Sequence, residues 1–136
     1  MKKVLTSWSE VAYTAFRIVA GFMFLWHGAQ KLFGVLGGKA MSLGERPQIW
    51  IGGLIELACG IAIATGLFTR WAALLASGTM AVAYFQFHLG SDWSPAHLLP
   101  IVNKGELAAL YAFVFLFVAT KGPGRGSLDR VLKFDQ

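Results

Sequence analysis

The run over residues 11–33 is apolar for long enough to cross a bilayer, yet it carries Arg17 near one end and His27, Gln30 and Lys31 near the other. A charged side chain at the centre of a membrane helix costs roughly 2.5–3.5 kcal/mol on insertion scales, so Arg17 is not expected to face lipid. At 3.6 residues per turn, Arg17, Phe24, His27 and Lys31 fall near one stripe, flanked by Ala20, Gly21 and Gly28. That stripe is expected to face protein.

Three more apolar runs follow, over about residues 48–68, 70–88 and 104–120. Each has about the length that hydrocarbon requires of a helix. Thr69 and Arg70 leave room for only a very short turn between the second and third runs. The loop before the fourth run holds Pro95 and Pro100 and is no single regular helix. GPGRG stops the fourth run, and a tail over residues 121–136 follows, with Ser127 as a helix N-cap and Leu128, Val131 and Leu132 suited to a membrane surface.

Only 14% of the residues are charged and 56% are hydrophobic, against about 25% charged in soluble domains. Open sheets cannot span lipid, and the runs lack the alternation of barrel strands. The expected fold is all-α, an integral membrane antiparallel four-helix bundle forming a single domain over residues 1–136. Gly53 and Gly60 are the expected helix-packing positions, with small residues also along the third run.

The net charge is +5, but long apolar runs separate the basic residues, so membrane orientation accounts for them better than nucleic acid. Four spans put both termini on one side. Lys2, Lys3, Arg70, Lys121, Arg125, Arg130 and Lys133 share that side, against Lys31, Lys39, Arg46 and Lys104 on the other. The positive-inside rule then puts both termini in the cytoplasm of a bacterial inner membrane. Trp8, Trp50, Trp71 and Trp93 sit near span ends or in a loop, as interfacial anchors do. The start of the chain lacks a compact apolar core followed by a cleavage site, which suits a retained first helix.

Glu56 lies about 12 Å of helix rise into the second run among Ile, Leu, Gly, Ala and Cys, so it needs a proton, a partner or water. Arg17 enters from the opposite face. The two are candidates for a register-fixing ion pair or for a proton-carrying or ligand-binding pair; alternatively, Arg17 snorkels to the cytoplasmic headgroups. At the other face His27, Gln30, Lys31, His88, Lys104 and Glu106 come from three helices and suggest the mouth of a pocket for a polar headgroup. Glu106 and the two lysines also have plain roles, as a first-turn acid and interfacial anchors.

A metal site is not expected. His27, His88 and His97 lack ligand spacing, Lys31 sits beside His27, and Cys59 is alone in the chain. The soluble-enzyme motifs GxSxG, P-loop and dinucleotide fingerprint are missing, so catalytic residues are unassigned.

RIVAGFMFLWHGAQKLFG, the Glu56 run ending GLFTRWAAL, NKGELAALY and GPGRGSLD together resemble the DoxX family over nearly the whole chain. The resemblance implies a small four-helix bacterial inner-membrane protein linked to oxidoreductase systems. Relatives include the membrane subunit of a thiosulfate:quinone oxidoreductase and a tether for redox and thiol-detoxifying enzymes. Arg17, His27, Gly28, Lys31, Glu56, Asn103, Lys104, Gly105 and Glu106 fit the family's recurring polar positions, with no catalytic role attached.

The resulting expectation is a membrane subunit that binds a quinone or lipid-like molecule. Lys31 or His27 would face a quinone carbonyl, Arg17 and Glu56 would give internal polar support or a proton route, and a redox partner protein would supply electrons, since no flavin, haem or iron–sulfur motif is present. Whether the chain is itself an enzyme stays open. The alternatives are a non-catalytic scaffold that recruits redox enzymes through its basic tail, and a small transporter, which four short spans permit only as a homo-oligomer.

Overall fold

The computed structural model describes residues 2–134, with side chains from Trp8 onward. Lys2 and Lys3 of the charge tally thus lie outside the described side chains, and Asp135 and Gln136 of the tail lie outside the described residues. Among the described residues the regular structure is entirely helical. Its elements are α1 (Lys2–Phe33), α2 (Pro47–Thr65), α3 (Thr69–Ala83), α4 (Pro100–Asn103), α5 (Glu106–Lys121) and α6 (Leu128–Val131). Beyond Ala83, α3 continues as one widened π-helical turn, Tyr84–Leu89.

Helix α1 starts well before residue 11 and stops at Gly34, which has φ +66° and donates to Gln30 O. Its inward stripe is Tyr13, Arg17, Ala20, Gly21, Phe24 and Gly28, all buried at helical spacing. The opposite face shows Phe22, Met23 and Val19 to the outside. Large apolar residues on the outward face reverse the pattern of a water-soluble bundle, where such a surface would aggregate.

The same inversion marks α2 and α3. Pro47–Thr65 has a mean hydropathy of 1.6 and Thr69–Leu89 one of 1.2, and only 28% of each stretch is buried inside the protein. A core helix of a soluble domain would be mostly buried. Lipid is the environment that suits these outward faces. The chain is a small, all-helical membrane protein.

Glycines bring α1 and α2 into close contact. A Cβ on Gly28 would lie 2.5 Å from Gly53 O, and one on Gly21 would lie 2.8 Å from Gly60 O. The seven-residue spacing in each helix matches the near-two-turn repeat of a straight helix seam. Gly66, with φ +75°, ends α2: Gly66 N donates to Ile63 O and Leu67 N to Ala62 O, and α3 begins within three residues.

Helix α5 packs on α3, where Ser77 Oγ donates to Ala112 O at 2.7 Å and Arg70 Nη1 donates to Ala119 O and Thr120 O at the end of α5. The core where α1 meets α5 is aromatic: Phe24 lies 4.6 Å from Phe115, which stacks on Tyr111 at 5.2 Å.

Neighbouring helices run antiparallel, so the molecule has two distinct ends. At one, Tyr13 Oη donates to Gly122 O, Thr14 Oγ1 to Arg125 O and Lys121 Nζ pairs with Glu10. At the other, the end of α1, the first half of α2 and the π-helical turn converge under the loop that carries α4. Helices α2 and α3 pack less extensively than α1 does on α2, and a groove opens between them.

Candidate functional site

Lys31, in the last turn of α1, is favoured there by the helix dipole. Its long side chain reaches along α2 and donates to Glu56 Oε1. Glu56 is 2% exposed and Lys31 36% exposed, so the buried carboxylate is neutralised by a cation whose stem reaches outward. The other carboxylate oxygen, Oε2, has no hydrogen-bond partner.

Two cavities meet at this pair. The larger, about 790 Å³, is the groove between α2 and α3, walled by Ile51, Ile55, Leu74, Leu75, Val82 and Phe87 and floored by Gly52 and Gly78. It extends from Trp71 to His88, about 25 Å of helix rise. Its polar end holds Lys31, Glu56, His88 and Gln48, whose Nε2 donates to Gln86 Oε1.

The smaller, about 230 Å³, lies on the other side of Glu56 towards α5 and is bounded by Phe24, His27, Tyr111, Leu107 and Lys104. Lys31, Glu56, Met80, Ala83 and His88 line both. His27 turns its ring edge to Tyr111 at 6.0 Å, and the buried Tyr111 hydroxyl is without a hydrogen-bond partner.

The π-helical turn and Asn103 shape the outer wall. One extra residue per turn widens α3 where His88 enters the site, a feature common at functional positions. Asn103 is buried and fastens the covering loop: its Nδ2 donates to Tyr84 Oη and His97 O, and its Oδ1 accepts from Gly105 N. His88 Nδ1 lies 3.4 Å from the carbonyl of Asn103, and His97 Nε2 lies 3.1 Å from that of His88. No group of three or more His, Cys, Asp or Glu within reach of one metal ion occurs among the described residues.

The candidate residues therefore divide. His27, Lys31, Glu56, His88 and Lys104 share one site. Gln30 instead braces the loop after α1, donating from Nε2 to Leu36 O while Gly38 packs on its Cβ. Glu106 sits exposed in the first turn of α5 and lines neither cavity, a placement the helix dipole favours without any ligand.

Arg17 does not meet Glu56. It lies fourteen residues before Lys31, about 21 Å along α1, and belongs to the opposite end of the molecule. There its fully buried guanidinium donates to Ile63 O, to Ala64 O at 3.0 Å and to Gly126 O at 3.2 Å. The C-cap of α2 already serves Ala62 O and Ile63 O, and the guanidinium adds a second donor to Ile63 O and supplies one to Ala64 O.

The DoxX family model matches residues 12–89, from the third turn of α1 to the end of the π-helical turn. The chain belongs to the DoxX family. An uncharacterized protein of Haemophilus influenzae is 38% identical over 117 residues, covering 83% of this chain and 84% of that relative. No solved structure matches. The family match contains Lys31, Glu56 and His88, whereas Tyr111 and the cap formed by Asp129 lie beyond it. Tyr111 gives no signal in a sequence reading, because a tyrosine in an apolar run looks like any core aromatic.

Proposed function

We propose that this DoxX protein is a four-helix inner-membrane subunit of an oxidoreductase system that holds a quinone-type amphiphile in the groove between α2 and α3. The observation that carries the reading is the groove's shape: a long apolar trough that ends on Lys31, Glu56 and His88. An isoprenoid tail fits the trough, and a small polar ring fits its end. The orphaned Glu56 Oε2 and the Lys31 ammonium give that ring both an acceptor and a donor.

A bound quinone supplies two-electron, two-proton chemistry in the lipid phase. The chain's own residues bind and orient it: Leu74, Leu75 and Val82 hold the tail, and Lys31 and His88 face the ring. A partner protein supplies the electrons. Arg17 is the cap of α2 in this reading, not part of a proton route.

Four crossings with both termini in the cytoplasm are supported by the charges. Arg70, Lys121, Arg125, Arg130 and Lys133 lie at the end shared by the two termini, against Lys31, Lys39, Arg46 and Lys104 at the other. A scaffold that recruits enzymes with a free tail has less support, because Ser127 is buried against Gly66 at the end of α2 and Asp129 against the start of α3.

The test is mass spectrometry of small molecules that co-purify in mild detergent. A near-stoichiometric quinone is expected, lost in Gly78→Trp, which fills the groove from a position where an added Cβ meets nothing within 4 Å. Phospholipid alone, or quinone retained by the Gly78→Trp variant, would sink the reading.

A further inference from the structure

The smaller chamber poses a chemical question that the groove does not answer. Its lining includes Glu56 and Tyr111, 2% and 6% exposed, each of which carries a buried polar atom, Oε2 and Oη, with no hydrogen-bond partner. Buried polar atoms are nearly always satisfied, so a pair of orphans around one cavity points to a missing partner. Resting on the groove reading, we infer that this chamber is the headgroup subsite and that it selects the reduced, hydroxylated form of the ring.

The selection follows from donors and acceptors. Lys31 pairs with Glu56 through Oε1, and the free Oε2 of such an ion pair only accepts. A ring hydroxyl donates to that oxygen and accepts from the Tyr111 hydroxyl. A quinone carbonyl has no proton to offer and would meet the carboxylate with lone pairs facing each other. A phosphate headgroup is an acceptor in the same way. An amine headgroup donates to Glu56 but stands beside Lys31 and accepts nothing from Tyr111.

The walls are largely aromatic. Phe24 packs on Tyr111 with ring centroids 5.4 Å apart, and His27 meets Tyr111 edge to face at 6.0 Å, so an aromatic ring finds like neighbours there. Lys31, Glu56, Met80, Ala83 and His88 line both cavities, so a ring in the chamber and a tail in the groove belong to one ligand.

The experiment is equilibrium binding of a short-chain hydroquinone and of its oxidised partner to the purified protein in detergent, kept anaerobic. The reduced form is expected to bind roughly tenfold more tightly, the scale of one hydrogen bond to a charged group. Tyr111→Phe removes only an unpartnered hydroxyl, so the protein should fold normally, and the preference should shrink to about threefold or less. Glu56→Gln should remove most of the preference while leaving the oxidised form's affinity little changed.

Equal affinity for the two forms, both abolished by Gly78→Trp, overturns the chamber reading and leaves the groove standing. An undiminished preference in Tyr111→Phe also overturns it. Preference intact with Gly78→Trp binding normally overturns the groove alone, and binding of neither form to the wild-type protein overturns both.

Discussion

Asp129 caps the helix that begins at Thr69. Its Oδ2 accepts from Thr69 N at 2.9 Å and from Thr69 Oγ1 at 2.8 Å, while Oδ1 accepts from Phe68 N at 2.6 Å. Sixty residues separate the cap from the helix, because Asp129 N in turn donates to Gly66 O and fixes the tail against the turn between α2 and α3. The amides at a helix N-terminus lack intrahelical acceptors, and a carboxylate there is favoured by the dipole as well.

Asp129→Ala should therefore lower stability by about 1–2 kcal/mol, at the upper end for a cap because the site is buried. Asp129→Asn, which keeps one acceptor oxygen, should fall between the two. Thermal unfolding in detergent measures both. A wild-type midpoint in Asp129→Ala would show that the tail adds nothing to the fold.

What the sequence made legible was periodic or local. The spacing of Arg17, Phe24 and Gly28 puts them on one helix face, and those three residues are buried. The position of Glu56 in its run told that it needed a proton, a partner or water, but did not single out Lys31. Arg17 looked equally fit for Glu56, since residue counts give depth along a helix only once its ends are known. Helix α1 extends to Lys2, which shifts Arg17 to the level of Ile63 and Ala64. Tyr111 and Asp129 act through contacts between elements far apart in sequence, and no local pattern announces such contacts.

Arg17→Lys should behave almost like Arg17→Ala. A single ammonium on a shorter reach cannot serve Ile63 O, Ala64 O and Gly126 O together, whereas the guanidinium fork does. Losing these bonds leaves Ala64 O and Gly126 O without a donor while Ile63 O keeps Gly66 N, at a cost of roughly 1–3 kcal/mol. Unfolding by denaturant would register it; full stability in Arg17→Lys would assign the residue to charge alone.

The glycine seam predicts a sharp contrast within α2. A Cβ on Gly60 would lie 2.5 Å from Leu25 N and 2.7 Å from Leu25 Cα, so α1 and α2 must separate to admit it. Gly52 faces open space, with nothing within 4 Å. Gly60→Ala should destabilise by about 1–3 kcal/mol through overpacking, and Gly52→Ala should be neutral or slightly stabilising through helix propensity. Equal effects at the two positions would contradict the close approach.

In the loop between the π-helical turn and α4, the Ser94 backbone N–H donates to Asp92 Oδ1 at 3.0 Å, and this bond chiefly holds the Asp92 carboxyl below its usual pKa, with the Ser94 side chain and His97 adding to it. A carboxylate with a lowered folded pKa contributes order that is present above its unfolded value and is lost as pH falls through the folded one. Amide exchange at Ser94 should show protection that persists at neutral pH and fades only below the ordinary carboxylate range. Asp92→Asn should weaken that protection and remove its pH dependence. Protection unchanged down to strongly acidic pH would refute the assignment.

The Lys31–Glu56 pair should respond asymmetrically. Lys31→Met strands a carboxylate that is 2% exposed, with both oxygens then lacking a protein partner, and breaking a buried pair this way costs about 3–5 kcal/mol. Glu56→Gln leaves a lysine whose side chain is 36% exposed and free to swing outward, so its loss should be smaller. Replacing both, as Lys31→Met with Glu56→Leu, removes the charge and its desolvation together and should recover most of the stability lost by Lys31→Met. A double-mutant cycle on the unfolding free energy reads the coupling directly. Equal losses in the two single variants, adding without coupling in the double, would mean that the contact does not neutralise Glu56. Recovery of stability in the double variant without recovery of the proposed quinone binding would separate the pair's part in holding the helices together from its proposed part in holding a ligand.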